Sequence, residues 1–278
     1  MTTNAVQTEF YLLNKVSAVL RARGYRLYTK SGRRLVDLWL NGGAAILGHT
    51  PPNVLREIKN TASRGLYAPF PHFLEERYIK ALTVLFPGRS FRLYAAPPAE
   101  LETLIKNGTA GLWRPYFKNE FPYAIENNSP QILIPVLPGI HCWRNGLPLG
   151  LCVLAALSEN ELSALPVSDI LSPVLLVAAT RGLYDLIGAP DRGKPNLPRI
   201  FKALKSPENS LWRRKGIYIT LKEKTQQSQN EEWETIFTQF LEAGFLIPPT
   251  PSQPLILPGE LSDGEEAKLA RCIALDTP

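Results

Sequence analysis

Residues 24–54 read GYRLYTKSGRRLVDLWLNGGAAILGHTPPNV, and the fold is decided there. Two β-rich runs flank Lys30-Ser31-Gly32, which has turn chemistry, so residues 25–39 are expected as a β-hairpin. A glycine-rich loop follows at 41–52. Pro51 and Pro52 suit a first helical turn, which predicts a helix over 53–64. Hairpin, loop and helix in this order point to an α/β protein.

Working outward, residues 9–22 (EFYLLNKVSAVLRA) carry apolar positions at helical spacing, and Gly24 would stop that helix. A second helix is expected over 73–85, ending before Pro87-Gly88. Residues 91–95 (FRLYA) read as a strand, and Pro97-Pro98 precede a helix at 99–106. Residues 108–130 read as irregular, with Pro115, Pro122 and Asn127-Asn128. Two apolar runs, 131–137 and 151–157, read as buried strands around PGIHCWRNGLPLG at 138–150. A long helix is expected at about 169–188, a short one at 198–205 and a strand at 216–221. The polar linker KEKTQQSQN (222–230) then leads to a helix over 231–243, with Asn230 as its N-cap and Gly244 as its stop. Phe245–Ile247 reads as a strand, and Ser262 with Glu265 forms a capping box for the last helix. There is no internal repeat.

Composition sets the bounds. The chain has 278 residues, 45% hydrophobic and 20% charged, which excludes a disordered chain, a collagen and a coiled coil. Proline is 25 of 278, about 9% against an average near 5%, and it is dispersed, so the fold is loop-rich. The net charge of +6 is spread, with short clusters such as Arg33-Arg34 and Arg213-Arg214-Lys215, so nucleic acid is not expected as a partner. Cys142, Cys152 and Cys272 lack metal spacing and there are three histidines, so no metal is expected and a reduced cytoplasmic setting fits. The apolar stretch 170–187 is broken by Pro173, Arg181 and Asp185, so no membrane span is expected. There is no Walker A sequence, no G-x-G-x-x-G after a strand and no G-x-S-x-G elbow. Trp113, Trp143 and Trp212 read as core residues or as interface anchors.

Gly24, Leu27, Tyr28, Gly32, Asp37, Gly48, His49 and Pro52 resemble the N-terminal pattern of class III aminotransferases, with Thr29 where the family has its first Asp. These are pyridoxal-phosphate enzymes of fold type I and include glutamate-1-semialdehyde aminomutase. RGLYAPFPHFLEERYIKALTVLFPG (64–88) resembles the family's next helix, and GFLIPPTPSQPLILPGELSDGEEAKL (244–269) its last stretch. The resemblance spans residues 10–100 and 130–275, and much of the family's large domain would be missing between 95 and 130. It implies a reduced fold-type-I architecture. Residues 1–90 would form the N-terminal part of a small domain, 91–190 a remnant of the large-domain sheet, and 191–278 the C-terminal α/β part of the small domain.

The resemblance also locates the cofactor chemistry. A lysine forms the Schiff base, a carboxylate holds the pyridinium nitrogen, and amides at a helix start bind the phosphate. If Gly146-Leu147-Pro148-Leu149-Gly150 matches the family's glycine segment, His141 stands at the lysine position, and imidazole cannot form that Schiff base. His141 reads either as an acid or base or as a hydrogen-bonded loop residue. The family's N-S-G-x-E-A phosphate turn is Ala95-Ala96-Pro97-Pro98-Ala99-Glu100 here, and proline has no N–H. No strand ends in the family's Asp-Glu. Asn41, Gly42, Gly43 and His49 are the substrate-side candidates that the resemblance implies. The bland reading gives the glycines to loop geometry and His49 to capping a turn.

The expected function is therefore that of an aminotransferase-like interaction or regulatory protein without catalysis and without a bound cofactor. It would pair with itself, or with a full-length aminotransferase, because the family is dimeric. The alternative is a pyridoxal-phosphate-dependent transferase or aminomutase with an altered site. A small-molecule binding module is a third class.

Overall fold

The structure, a computed structural model, describes residues 10–65, 70–117, 130–140, 142–144, 146–206, 211–222 and 226–274. The expected hairpin is present. β1 (Val19–Arg23), β2 (Arg26–Thr29) and β3 (Arg34–Asp37) form an antiparallel meander, and β12 (Phe245–Leu246) joins it parallel to β3. Segments from both ends of the chain thus share one sheet.

β1 stands where the helix over 9–22 was expected, and helical geometry is confined to residues 10–13. Pairing with β2 supplies partners for the backbone groups of Val19–Arg23, and Gly24, at φ 54°, is the turn between the strands and not a helix stop. Helical spacing is a weak prior, and an adjacent strand overrides it.

The central sheet has the order β4 (Ser90–Tyr94), β9 (Cys152–Ala156), β6 (Ile132–Pro135), β5 (Ala110–Trp113), with only the β6–β5 pair parallel. Side chains alternate between its faces, and both faces are buried. Leu93, Leu133, Val153 and Ala155 enter the main core. That core includes Tyr78 and Leu82 of α2 (Leu74–Leu85) and Leu183 of α5 (Pro173–Ile187). Tyr94, Ile132, Ile134, Cys152 and Leu154 face a second core with Leu101 of α3 (Leu101–Lys106) and Leu162 of α4 (Glu159–Leu162). Each buried Leu, Ile or Val stabilises by roughly 1.5–3 kcal/mol, so β6 and β9 are the least replaceable strands. α1 (Pro52–Ala62) packs on α5 from outside, with Pro52 in its first turn as expected. No helix of the described residues is long and apolar enough to cross a membrane.

β5 lies inside the stretch expected to be irregular. Its Gly111 is held against Pro130, 2.7 Å from where a Cβ would sit, so the sequence there reads as loop although it pairs with β6. β7 (Cys142–Arg144) and β8 (Leu147–Leu149) make a further hairpin inside PGIHCWRNGLPLG. Trp113, Trp143 and Trp212 are all buried, which settles them as core residues.

The C-terminal third holds α6 (Pro198–Lys205) and a sheet of β10 (Trp212–Lys215), β11 (Tyr218–Leu221) and β13 (Leu255–Ile256). α7 (Gln226–Ala243) and α8 (Asp263–Ala274) complete it. α7 begins at Gln226, so Asn230 lies within the helix and is not its cap. Gly244, at φ 95°, ends α7 as expected. The capping box of α8 is also present: Ser262 N donates to Glu265 Oε2 at 2.9 Å, and Glu265 N donates to Ser262 Oγ at 3.3 Å.

Glu265 has a second role. Arg26 Nε and Nη2 donate to its two carboxylate oxygens at 2.9 and 2.7 Å, which ties the N-terminal hairpin to α8. The Arg26 guanidinium holds the Glu265 carboxyl down to about 2, against an ordinary value of 4.5. A depressed carboxyl contributes stability that is present above its unfolded pKa and lost as pH falls through the folded one. Glu265→Gln is expected to cost about 1–3 kcal/mol at pH 7. It should also flatten the loss of stability between pH 4.5 and 2, as read by urea unfolding at stepped pH.

Candidate functional site

The glycine-rich loop is held by one carboxylate. Asp37 ends β3 and is 2% exposed. Its Oδ1 accepts the N–H groups of Trp39 (2.8 Å) and Leu40 (2.9 Å), and its Oδ2 lies 2.9 Å from His49 Nε2. The imidazole is thereby held by its Nε2 against a buried carboxylate. Leu40, Asn41 and Gly42 then follow at φ 50°, 49° and 67°, a left-handed run that costs non-glycine residues energy. The Asp37 hydrogen bonds and the burial of Leu40 offset that cost.

Asn41 and His49 face one cleft of about 340 Å³, lined also by Leu13, Val16, Asp37 and Trp39. Trp39 Nε1 donates to the buried Gln253 Oε1 at 2.7 Å, which fixes one wall. The cleft is apolar with a few convergent polar groups, the usual make-up of a small-molecule site. What it can do chemically is bind an apolar body, with Asn41 and His49 as the polar groups beside it. Among the described residues no group of three or more His, Cys, Asp or Glu side chains could hold a metal.

Gly42 and Gly43 are drawn away from this cleft. A Cβ on Gly42 would lie 2.2 Å from Trp143 Cγ, and one on Gly43 would lie 2.5 Å from Val136 Cγ1. Arg114 Nη1 donates to the Gly42 carbonyl at 3.0 Å, and its guanidinium lies over the rings of Trp143 and Tyr218, at 5.5 and 5.7 Å. Sequence reasoning missed the Asp37 pairing and the Arg114–Trp143 cover. Asp37 was visible as a matched residue, but nothing in the sequence says that its partner lies twelve positions on. His141 lies outside the described residues, and Cys142 beside it is exposed on β7.

Two further features bear on chemistry. After β4, Ala95 N donates to Asp169 Oδ2 at 2.8 Å, and Pro97 and Pro98 offer no N–H before α3. Every lysine among the described residues is exposed.

The chain has a class III aminotransferase-like fold, a mixed α/β architecture of fold type I. It is similar to ornithine δ-aminotransferase of Plasmodium falciparum, with a TM-score of 0.62 at 13% identity over 96% of this chain and 97% of that one. N-acetylornithine aminotransferase of Stenotrophomonas maltophilia K279a gives 0.62 at 13% identity over 97% of each chain. In sequence it is 27% identical over 268 residues to an uncharacterized protein of Borreliella burgdorferi, covering 95% of this chain and 93% of the relative. A second uncharacterized protein, from Treponema pallidum, is 24% identical over 301 residues, covering 89% of this chain and 91% of that one. A shorter match, 35% identity over 69 residues, is to glutamate-1-semialdehyde 2,1-aminomutase of Sorangium cellulosum, covering 25% of this chain and 16% of the enzyme. No family model matches.

Gly42→Ala would place a methyl group inside the Trp143 ring at a left-handed position. It is expected to cost about 2 kcal/mol or more. Asp37→Ala, which strands the buried Leu40 N–H and the half-buried Trp39 N–H, is expected to cost about 2–4 kcal/mol. Both are read from urea midpoints, with Gly32→Ala, where an added Cβ meets nothing, as the control for positive φ alone.

Proposed function

We propose that this chain is a non-catalytic relative of class III aminotransferases, acting as an interaction or regulatory protein. The observation that carries this reading is the exposure of every described lysine. Schiff-base exchange needs an amine held against the cofactor carbonyl in a desolvated site. Lys106 and Lys194, the described lysines of the central region, lie on the surface. In this reading His141 takes the place of the family's lysine, and imidazole supplies no Schiff base there.

The turn after β4 supports the same reading. Pyridoxal phosphate does not fit these residues. A phosphate at that turn would face the Asp169 carboxylate, which already takes the Ala95 amide, and two prolines without N–H groups. In this reading Asn41 and His49 line a binding cleft, while Gly42 and Gly43 serve the packing of Trp143 and Val136. Residues 1–90 and 191–278 meet through β3 and β12, and 91–190 hold the reduced central sheet. The three free cysteines suit a reduced cytoplasmic setting.

The test is an absorbance scan with added pyridoxal phosphate, then borohydride reduction and intact mass. No visible-edge band and no single-site adduct are expected. A stoichiometric adduct on one lysine would overturn the reading.

We further propose that the chain forms a homodimer or pairs with a full-length aminotransferase. Leu55, Phe70, Phe73 and Val84 are exposed on the N-terminal segment, and these apolar side chains are the contacts that a partner would cover. Size-exclusion light scattering is expected to give twice the chain mass, or co-elution with an added relative. A clean monomer that ignores the relative would sink the idea.

A further inference from the structure

Residues 199–222 contain seven Lys and Arg residues and one acid, Glu208, which lies outside the described residues. Arg199 is engaged: its N–H donates to Glu266 at 2.7 Å and its Nη1 to the Asp263 carbonyl at 3.1 Å. Lys202, Lys205 and Arg214 have no carboxylate partner among the described residues.

Lys202 and Lys205 line one groove, and Arg214 packs on Phe201, which lines it too. Pro198, Phe201, Lys202, Lys205 and Ser206 line a shallow groove of about 540 Å³ along α6. Lys202 and Lys205 are three apart, so they share a helix face. Arg214 comes from β10, on the same side of the strand as buried Trp212, and its guanidinium lies 4.0 Å over the Phe201 ring. Its Nε donates to the Gly216 carbonyl at 2.8 Å, and its terminal nitrogens make no bond among the described residues. Arg213 and Lys215 leave the strand on the other side, where Lys215 lies over Phe117 at 4.2 Å.

The helix dipole accounts for two lysines in the last turn of α6. It does not account for a guanidinium from another element, partly desolvated on an aromatic face with no counter-charge among the described residues. Desolvation pushes the Arg214 pKa down, so an arriving anion would recover what burial costs.

We propose that this groove binds a small, multiply charged phosphate compound, a polyphosphate or a phosphate ester, through Lys202, Lys205 and Arg214. Two point-charge ammonium groups and one planar fork match an anion with several oxygens and a charge of two or more. The volume lies within the ordinary range for small ligands, about 300–1,000 Å³. A nucleic-acid strand fits less well. α6 has eight residues, about 12 Å of track, and its one aromatic face, Phe201, is already covered by Arg214. The site is separate from the cleft at His49 and does not depend on the loss of Schiff-base chemistry.

The test is isothermal titration of the full chain with sodium tripolyphosphate, against sodium sulfate at matched ionic strength. Saturable binding of one tripolyphosphate per chain is expected, at least about tenfold weaker in K202E/K205E and in R214Q. K59E/K80E, with the same change in net charge on α1 and α2, should bind within about twofold of the parent. Circular dichroism confirms that each variant is folded, and R214Q keeps the strand if the double variant does not. No saturable binding, or equal weakening by K59E/K80E, would overturn the proposal. So would a single-stranded oligonucleotide that binds more tightly than tripolyphosphate through the same residues.

Discussion

The carboxylate of Asp37 is the point on which the surrounding structure hangs. It is buried, and a buried carboxylate is tolerated when donors surround it. Three donors do so here, from Trp39, Leu40 and His49. They bend the chain through a left-handed run that a leucine and an asparagine would not otherwise adopt. The bend delivers Gly42 to Trp143 of the β7–β8 hairpin and Gly43 to Val136 beyond the central sheet. Just before it, Leu38 accepts the Ile256 amide at 2.6 Å from the C-terminal sheet. One side chain thereby registers three sheets against each other.

The central sheet shows how a short chain sustains an aminotransferase-like fold. Both faces of its four described strands are buried, and α2 and α5 cover one while α3 and α4 cover the other. Burial on both faces explains why β6 and β9 are uninterrupted apolar runs with no polar alternation. At 13% identity to the solved aminotransferases, what is shared is the fold, and a fold does not by itself carry a chemistry. The turn after β4 is a case in point. The fold keeps strand, turn and helix, while the amide there is committed to an aspartate and the next positions hold prolines.

Much of the architecture was legible in the residues. The 25–39 hairpin, the helices at 53–64 and 73–85, the strands at 91–95, 131–137 and 151–157, and the Ser262–Glu265 box all rest on local causes: turn chemistry, periodicity and capping. The errors have a common cause. Residues 19–23 have helical spacing yet pair with β2, and residues 110–113 look irregular yet pair with β6. In both, the deciding partner is another strand whose position no local window contains. Asn230 failed as a cap for a different reason: polar residues such as those at 226–230 lower helix propensity without forbidding a helix.

The site divides the same way. Sequence by itself determined which residue types are available: the Asp37…His49 pattern, the glycines at 42 and 43, and a histidine at 141. Tertiary structure alone decided that Asp37 and His49 are bonded, that Asn41 shares their cleft while the glycines are claimed by Trp143 and Val136, and that the described lysines stay in solvent. The physical reason is range. Turns, caps and periodicity act over a few residues and are written locally. Burial and hydrogen-bond partners depend on which distant segments the collapsed chain brings within a few ångströms of each other.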